Sequence, residues 1–279
     1  MKLVTALLIL SVSAASADFV IALKPDKDPD KMLSERQALA AALTKSLGQK
    51  VDVIVPLSAA VIIEGMANGS IDAGYLSATD LVHASKAGAA SLLLVGEIAG
   101  RRDYDSYWLA LSDKPYTRIE DLRGKPVAFA SRTSTSGYLI PQLDLFKKGL
   151  IKKNPEEFFG EGNVWFGTGY ASAVERVLAG EAEAAAVSDY VFDKDKHLSP
   201  EQRARLKIIA RQGPVPTHVI AVASGLDPEK RQALKAALLD LEKSDPELRN
   251  RVFTSPLVEA DQDAHLAPVV EALNIVSTP

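Results

Sequence analysis

The sequence feature that constrains the fold most is a regular alternation of short apolar runs with amphipathic segments. The runs that predict strands in the first part of the chain are residues 19–23, 51–56, 71–76 and 90–99. Helical spacing of apolar residues predicts helices between them at 33–47, 59–67 and 78–87. This order predicts an α/β architecture with a mainly parallel sheet and helices on both faces.

The same order continues in the second part of the chain. Predicted strands lie at residues 104–112, 126–130, 163–166, 182–188, 206–210 and 218–223. The sequence Gly-Pro-Val-Pro at 213–216 is interpreted as a stiff turn, after which the chain returns to its first unit. We therefore predict lobe 1 from 18–108 plus 217–279 and lobe 2 from 109–216. Two such lobes, joined by crossing strands, leave a cleft that is a favourable place for a small ligand.

Residues 1–17 have the pattern of a secretory signal peptide. A single Lys precedes a short apolar run, and Ala15-Ser16-Ala17 matches the A-x-A cleavage pattern. The chain contains no Cys, so an exported form has no disulfide and no thiolate chemistry. We expect a mature protein in the bacterial periplasm that begins at Asp18.

Charge and motif content exclude several function classes. The formal net charge of −4 disfavours nucleic acid or an anionic membrane as the main partner. The four His residues lack the spacing of metal ligands, and no P-loop or Gly-x-Ser-x-Gly elbow is present. We therefore expect neither a metal nor a cofactor, and no enzymatic activity. Hydrolysis of small phosphoesters stays open as a remote alternative, with Ser134 or Ser136 as nucleophile.

The most distinctive local motif is the hydroxyl-rich segment that follows the predicted strand at 126–130. Ser134, Thr135, Ser136 and Gly137 lie between this strand and a helix, where unpaired amides and the helix dipole favour an anion. Arg132 adds a positive charge, and Gly137 allows close approach of the backbone. The alternative is that the hydroxyls only cap the helix. These residues alone do not separate the two interpretations.

Several segments in this order resemble the periplasmic solute-binding proteins of phosphonate, phosphite and phosphate ABC transporters. They are Ile63–Leu76, Ile119–Phe129, Ser134–Pro141, Ala179–Val187 and Leu226–Glu229. The resemblance covers nearly all of the mature chain, and Ser-Thr-Ser-Gly is its most specific part. It implies a type II periplasmic binding fold and favours an anion cradle over a simple helix cap.

The resemblance also implies which residues bind the ligand. Ser134, Thr135, Ser136 and Gly137 would hold the oxygens of a tetrahedral phosphorus group, and Tyr104 would line the site. Further candidates are Arg132, Tyr170, Asp189, Tyr190 and His218. Tyrosines and carboxylates that bind an ammonium group in relatives fall on other residue types here, such as Ala59, so an aminoalkyl ligand is disfavoured.

We therefore predict a periplasmic component of an ABC importer that binds phosphonate, phosphite or phosphate. Its predicted partners are the oxyanion and a membrane permease, and the protein is expected to be a monomer. The alternative is a sensor subunit that presents the bound oxyanion to a membrane histidine kinase.

Overall fold

The computed structural model describes residues 19–24, 29–194 and 197–277, so the predicted signal peptide lies outside the described residues. The strands are β1 Phe19–Leu23, β2 Val51–Ile54, β3 Ala73–Leu76, β4 Ala90–Gly96, β5 Asp103–Leu111, β6 Val127–Phe129, β7 Val164–Phe166, β8 Ala184–Ser188, β9 Leu206–Pro216, β10 Val219–Ala223 and β11 Leu257–Val258. Most of them overlap the apolar runs of the sequence.

The helices alternate with the strands along most of the chain. They are α1 Pro29–Leu47, α2 Ala59–Asn68, α3 Ala78–Lys86, α4 Ile140–Lys147, α5 Glu156–Phe159, α6 Tyr170–Leu178, α7 Asp189–Asp193, α8 Pro200–Ala204, α9 Pro228–Ser244, α10 Pro246–Phe253 and α11 Gln262–Ser277. A π-helical turn, Thr135–Leu139, leads directly into α4, and Ile119–Leu122 forms a 3-10 turn.

The strands form two separate sheets, and we call each sheet with its helices a lobe. The first lobe contains the sheet with strand order β11-β4-β10-β3-β1-β2, and the second lobe the sheet with order β7-β6-β8-β5-β9. The fold is therefore the expected α/β arrangement of two lobes. The predicted boundary between residues 108 and 109 falls inside β5, whose partners β8 and β9 both belong to the second sheet.

Both sheets are mixed: most strands of each sheet run in one direction, as expected, but one or two run against them. The strand that enters each lobe from the other one runs against its neighbours. Strand β5 is antiparallel to β8 and β9, and β10 is antiparallel to β3 and β4. Because a strand's direction is set by the path of the chain between lobes, the apolar pattern of the strand itself does not reveal it.

The two segments that cross between the lobes are tied to each other. Residues 213–216 continue β9 instead of forming a turn, and Val215 and Pro216 pair with Tyr104 and Asp103 of β5. Thr217 then donates its hydroxyl to the carbonyls of Gly96 (2.7 Å) and Arg102 (3.1 Å), which border the other crossing. The lobes therefore share a short junction with specific hydrogen bonds.

Aromatic side chains fill the core of the second lobe beneath the hydroxyl-rich segment. Trp108 is fully buried and meets the edge of Phe129 with ring centroids 5.3 Å apart. Phe129 in turn contacts Tyr138, which lies in the π-helical turn, at 5.2 Å. Because these rings are closely packed, they fix where strand β6 ends and where the turn begins.

Candidate functional site

A cleft of about 1080 Å³ lies between the two lobes. Its lining residues follow directly after the carboxyl ends of strands in both sheets. Lys24 follows β1 and Ser77 follows β3 in the first lobe, whereas Ala130 follows β6 and Thr168 lies after β7 in the second lobe. Ligands of open α/β sheets bind at this edge, because the strands end there and the helices begin.

The hydroxyl-rich segment lines the second-lobe side of the cleft. Ser134 caps the π-helical turn, and its Oγ accepts a hydrogen bond from the Gly137 amide at 3.0 Å. A serine hydroxyl that accepts in this way still has its own proton to donate. The segment therefore both caps a helix and presents a donor to the cleft, so the two sequence interpretations do not exclude each other.

Gly137 has a packing role in this turn. A Cβ atom at Gly137 would lie 2.8 Å from Ser134 Oγ and 3.3 Å from the Ala186 carbonyl oxygen, and it would also clash with Ala130 Cβ. The residue is buried, and its amide is already used by Ser134. Glycine is thus required because the turn packs directly against strand β8 and the end of β6.

Thr135 connects the two lobes beside the cleft. Its Oγ1 lies 2.7 Å from Oγ1 of Thr79, which is in the first turn of α3. Both side chains are almost fully buried, with 6% and 1% exposure. Either hydroxyl can be the donor, and when Thr79 donates, the Thr135 proton stays available to an oxygen atom in the cleft.

Ser136 lies behind two tyrosines. Its Oγ is 2.7 Å from the Tyr170 hydroxyl and 3.4 Å from the Tyr104 hydroxyl, and the residue is fully buried. Both tyrosines line the cleft. Burial, reinforced by Tyr170, raises the pKa of Tyr104 well above its ordinary value, against the effect of the hydrogen bond to Ser136. Tyr104 is therefore a neutral hydroxyl donor near neutral pH.

A buried hydrogen-bond chain supports the turn from below. Gln212 in β9 donates to Ser106 Oγ at 2.7 Å, and Ser106 donates to the carbonyl oxygen of Ser136 at 2.6 Å. These three residues are at most 5% exposed. In a π-helical turn each backbone hydrogen bond spans one residue more than in an α-helix. The Ser136 carbonyl in this turn accepts its hydrogen bond from the Ser106 hydroxyl. The chain thus fixes the orientation of the hydroxyl-rich segment.

The start of helix α3 forms the opposite side of the cleft. Ser77 caps this helix and Asp80 completes the capping box. Lys24 reaches Asp80 Oδ2 at 2.9 Å. Burial disfavours the Asp80 carboxylate, but Lys24 and Ser77 outweigh this effect and hold the pKa of Asp80 below its usual value. The first amides of α3 have no intrahelical acceptor and lie beside a lysine, which is a favourable place for an anion.

A third helix start, that of α6, also borders the cleft. Gly169 is its N-cap residue, and Tyr170, Ala171 and Ser172 line the cleft. Ser172 Oγ accepts from the Thr168 amide at 3.0 Å and donates to the Gly169 carbonyl at 2.9 Å. The next amides of α6 are those that lack intrahelical partners. Helix starts from both lobes therefore surround the same space.

The first lobe contributes a further wall that lies beyond helix α3. We call it the distal wall, and it consists of His218, Asn250, Arg251 and Thr254. The His218 ring lies 5.4 Å from the ring of Tyr75, whose hydroxyl donates to the Phe253 carbonyl at 2.9 Å. Tyr75 thus holds the end of α10 next to the start of β10.

The structure brings some of the sequence-predicted site residues to the cleft and not others. Those that line it are Tyr104, Ser134, Thr135, Tyr170, Tyr190 and His218. Arg132 is exposed and stacks its guanidinium on Phe166 at 3.9 Å, outside the lining. Asp189 also lies outside the lining, because its carboxylate accepts from the amides of Asp105 at 3.2 Å and Tyr190 at 2.7 Å. Ser136 and Gly137 support the turn from behind.

Sequence reasoning missed Lys24, Ser77 and three of the four distal-wall residues, namely Asn250, Arg251 and Thr254. The Ser-x-x-Asp spacing of Ser77 and Asp80 is a capping-box signal that marks the start of α3. Nothing in the local sequence marks Lys24 or the end of α10, because these residues reach the cleft only through the tertiary fold.

The cleft has a basic and hydroxyl-rich lining. Among the described residues that line it there are Lys24, Arg251 and the imidazoles of His197 and His218, but no Asp or Glu. No group of three or more acidic or imidazole side chains in the described part of the chain is arranged to hold a metal ion. A search of the same residues finds no helix with the length and apolarity needed to span a membrane.

Comparison with known proteins places these features in a family. Residues 21–266 match the family described as ABC transporter, phosphonate, periplasmic substrate-binding protein. A phosphate-import protein of Mycolicibacterium smegmatis is 28% identical over 220 residues, which are 76% of this chain and 68% of that protein.

Solved structures show the same fold at low sequence identity. A Xanthomonas citri protein bound to a chloride ion aligns with a TM-score of 0.79 at 22% identity, over 92% of this chain and 98% of the other. The PhnD1 protein of Prochlorococcus marinus in complex with methylphosphonate aligns with a TM-score of 0.75 at 17% identity, over 91% and 96% of the two chains.

Proposed function

The chain belongs to the family of periplasmic substrate-binding proteins of phosphonate ABC transporters, and from this premise we propose that its ligand is a small phosphorus oxyanion without an ammonium group. The observation that carries the proposal is the meeting of three helix starts in one cleft whose described lining contains no carboxylate. Phosphate, phosphite and methylphosphonate are the simplest compounds of this class.

In this proposal, neutral donors bind most of the oxygens. Ser134 and Thr135 line the cleft together with the first residues of α3 and α6, whose first amides lack intrahelical acceptors, and Lys24 adds a positive charge. Each hydrogen bond to a charged oxygen contributes about 1.5–3 kcal/mol. Helix dipoles add to this, because their positive ends meet at the anion.

The absence of carboxylates from the described lining also determines which compounds are disfavoured. A buried ammonium group needs a counter-charge, and without one its desolvation opposes binding. Asp189 lies outside the lining, and Asp80 is already paired with Lys24. We therefore propose that 2-aminoethylphosphonate binds more weakly than propylphosphonate, which has nearly the same shape.

Isothermal titration calorimetry with phosphate, phosphite, methylphosphonate and sulfate tests the proposal. At least one phosphorus compound is expected to bind, and the double variant Ser134→Ala/Thr135→Val is expected to weaken it by about a hundredfold or more, since two charge-assisted bonds are lost. The exposed Ser224→Ala variant serves as control and should bind normally. Wild-type affinity in a folded double variant would refute the assigned site.

Proteins of this family deliver their ligand to membrane permease components of an ABC transporter in the periplasm. For this chain we propose a monomer, because both walls of the cleft come from one chain, and light scattering during gel filtration would test it. The sensor role with a histidine kinase stays an alternative prediction from the sequence.

A further inference from the structure

The cleft is much larger than a simple oxyanion. A water molecule occupies about 30 Å³ in the liquid, so an anion with five heavy atoms takes up on the order of 100 Å³. The cleft measures about 1080 Å³, which is near the upper end of the range for drug-sized ligands. The cleft therefore has room for a compound larger than phosphate or methylphosphonate.

The distal wall lies to one side of the hydroxyl-rich segment. The contact between Thr79 and Thr135 places that segment opposite the start of α3, which follows β3. Strand β10 is the antiparallel neighbour of β3, with Val219 opposite Leu76, so His218 lies one strand spacing, about 4.8 Å, from the α3 start. The end of α10 lies beyond His218, where Tyr75 contacts Phe253.

The distal wall is rich in hydrogen-bond donors. Asn250 Oδ1 accepts from Arg249 at 2.6 Å, which leaves the Asn250 amide group as a donor. The Arg251 guanidinium lies 4.0 Å from Glu247, whose side chain is 91% exposed. Arg251 lines the cleft, and a guanidinium can bind a carboxylate through two parallel hydrogen bonds.

Thr254 provides a second, independent observation. It ends α10 in the left-handed region, with φ of 62°, where glycine is the usual residue. A β-branched side chain is strained in this conformation, and such strain is retained mainly where function requires the side chain. Here the strained residue lines the cleft beside Arg251.

We propose that the ligand is a phosphonate or phosphomonoester with a second anionic group about 5–10 Å from phosphorus. The first anionic group binds at the hydroxyl-rich segment, and the second binds at the distal wall through Arg251, Asn250 and Thr254. This inference rests on the proposed function, since it requires a phosphorus group at the first position.

A matched ligand series measures the contribution of the second charge. The compounds are 4-phosphonobutyrate, 1,3-propanediphosphonate, 4-methylpentylphosphonate and 3-aminopropylphosphonate, with methylphosphonate as the reference. In 4-methylpentylphosphonate an isopropyl group replaces the carboxylate of 4-phosphonobutyrate. We expect at least one of the two dianionic compounds to bind about tenfold or more tightly than this isostere, and the amine to bind most weakly. Preference for one of the two identifies the second group as a carboxylate or a phosphonate.

Two variants separate the distal wall from the remainder of the cleft. Arg251→Gln should weaken the preferred dianionic compound about tenfold and leave methylphosphonate within twofold, whereas the exposed Arg118→Gln should change neither. Thr254→Gly should weaken the same compound and also raise the melting temperature, because it removes both the hydroxyl and the strain.

The outcomes distinguish this inference from the proposed function. If no phosphorus compound binds the wild type, the proposed function fails and the inference fails with it. If methylphosphonate binds but neither dianionic compound gains over the isostere, only the inference is overturned. Equal losses for all ligands in Arg251→Gln would also overturn it.

Discussion

Replacing Gly137 with alanine tests whether tight packing of the π-helical turn fixes the candidate site. The added Cβ would lie 2.8 Å from Ser134 Oγ and 3.3 Å from the Ala186 carbonyl, and would clash with Ala130. Ala186 belongs to strand β8 and Ala130 directly follows strand β6, so the turn must move instead. The Ser134 side chain moves with the turn, because its Oγ accepts a hydrogen bond from the Gly137 amide at 3.0 Å.

The magnitude follows from the cost of overpacking a dense core. Inserting one carbon into a well-packed interior destabilises a protein by about 1–3 kcal/mol. For a chain of this size, 1 kcal/mol corresponds to about 2–4 °C in melting temperature, so we expect a fall of roughly 2–12 °C. Displacement of Ser134 removes one charge-assisted bond, which corresponds to about a tenfold or larger loss of affinity for the phosphorus ligand.

Differential scanning calorimetry and titration calorimetry measure the two effects, with Gly225→Ala as matched control. Gly225 is exposed, has no positive φ, and a Cβ there meets nothing within 4 Å. This variant should melt and bind like the wild type. If Gly137→Ala does the same, the turn tolerates the additional carbon and the packing argument is wrong.

Three further variants test other parts of the structure. Thr79→Val keeps the shape of the side chain but removes its hydroxyl, and should weaken phosphate binding about fivefold by titration calorimetry, with recovery in Thr79→Ser. Ala99→Gly should raise thermal stability by about 0.5–1 kcal/mol, because Ala99 has φ of 51° in the turn between the lobes; a fall in melting temperature would contradict this. Burial lowers the pKa of His265, which faces Arg102, Asp103 and the Thr217 carbonyl. The unfolded chain therefore binds a proton at His265 more readily than the folded chain does. As a result, the free energy of unfolding falls as the pH drops below the ordinary histidine pKa of 6.5. Denaturant titrations between pH 7.5 and 5 should show a smaller loss for His265→Gln, and an equal loss in both proteins would exclude this role.

The sequence predicts the strands and helices of this chain well because each has a clear period. It does not predict that β5 and β10 run against the strands beside them, since apolar runs like theirs also form strands that pair in parallel. The pattern of residues 213–216 predicts a turn, because Gly and Pro are typical of turns. These residues instead lie at the end of β9, where β5 provides an antiparallel partner.

The sequence locates the hydroxyl-rich segment in the cleft but not the arrangement of its side chains. Ser136 and Gly137 belong to the same motif as Ser134, yet the structure turns them into the protein, because a helical turn directs successive residues to different sides. Lys24 and Arg251 are more than two hundred residues apart, and only the folded chain brings both to the lining of the same cleft. A local pattern carries no information on such a pair.

The position of β10 affects the order in which the lobes can form. This strand lies between β3 and β4 in the middle of the first sheet, but it is separated from them in sequence by the whole second lobe. The second sheet uses only residues 103–216, so it can pair its strands as soon as that segment is available. The first sheet is split until Val219–Ala223 inserts, and pairing over such a long sequence separation is slow. During synthesis, which proceeds from the amino terminus, the first lobe therefore completes its core last. A chain with this topology remains incompletely folded until most of it has been made, which suits a protein that has to be carried across a membrane before it works.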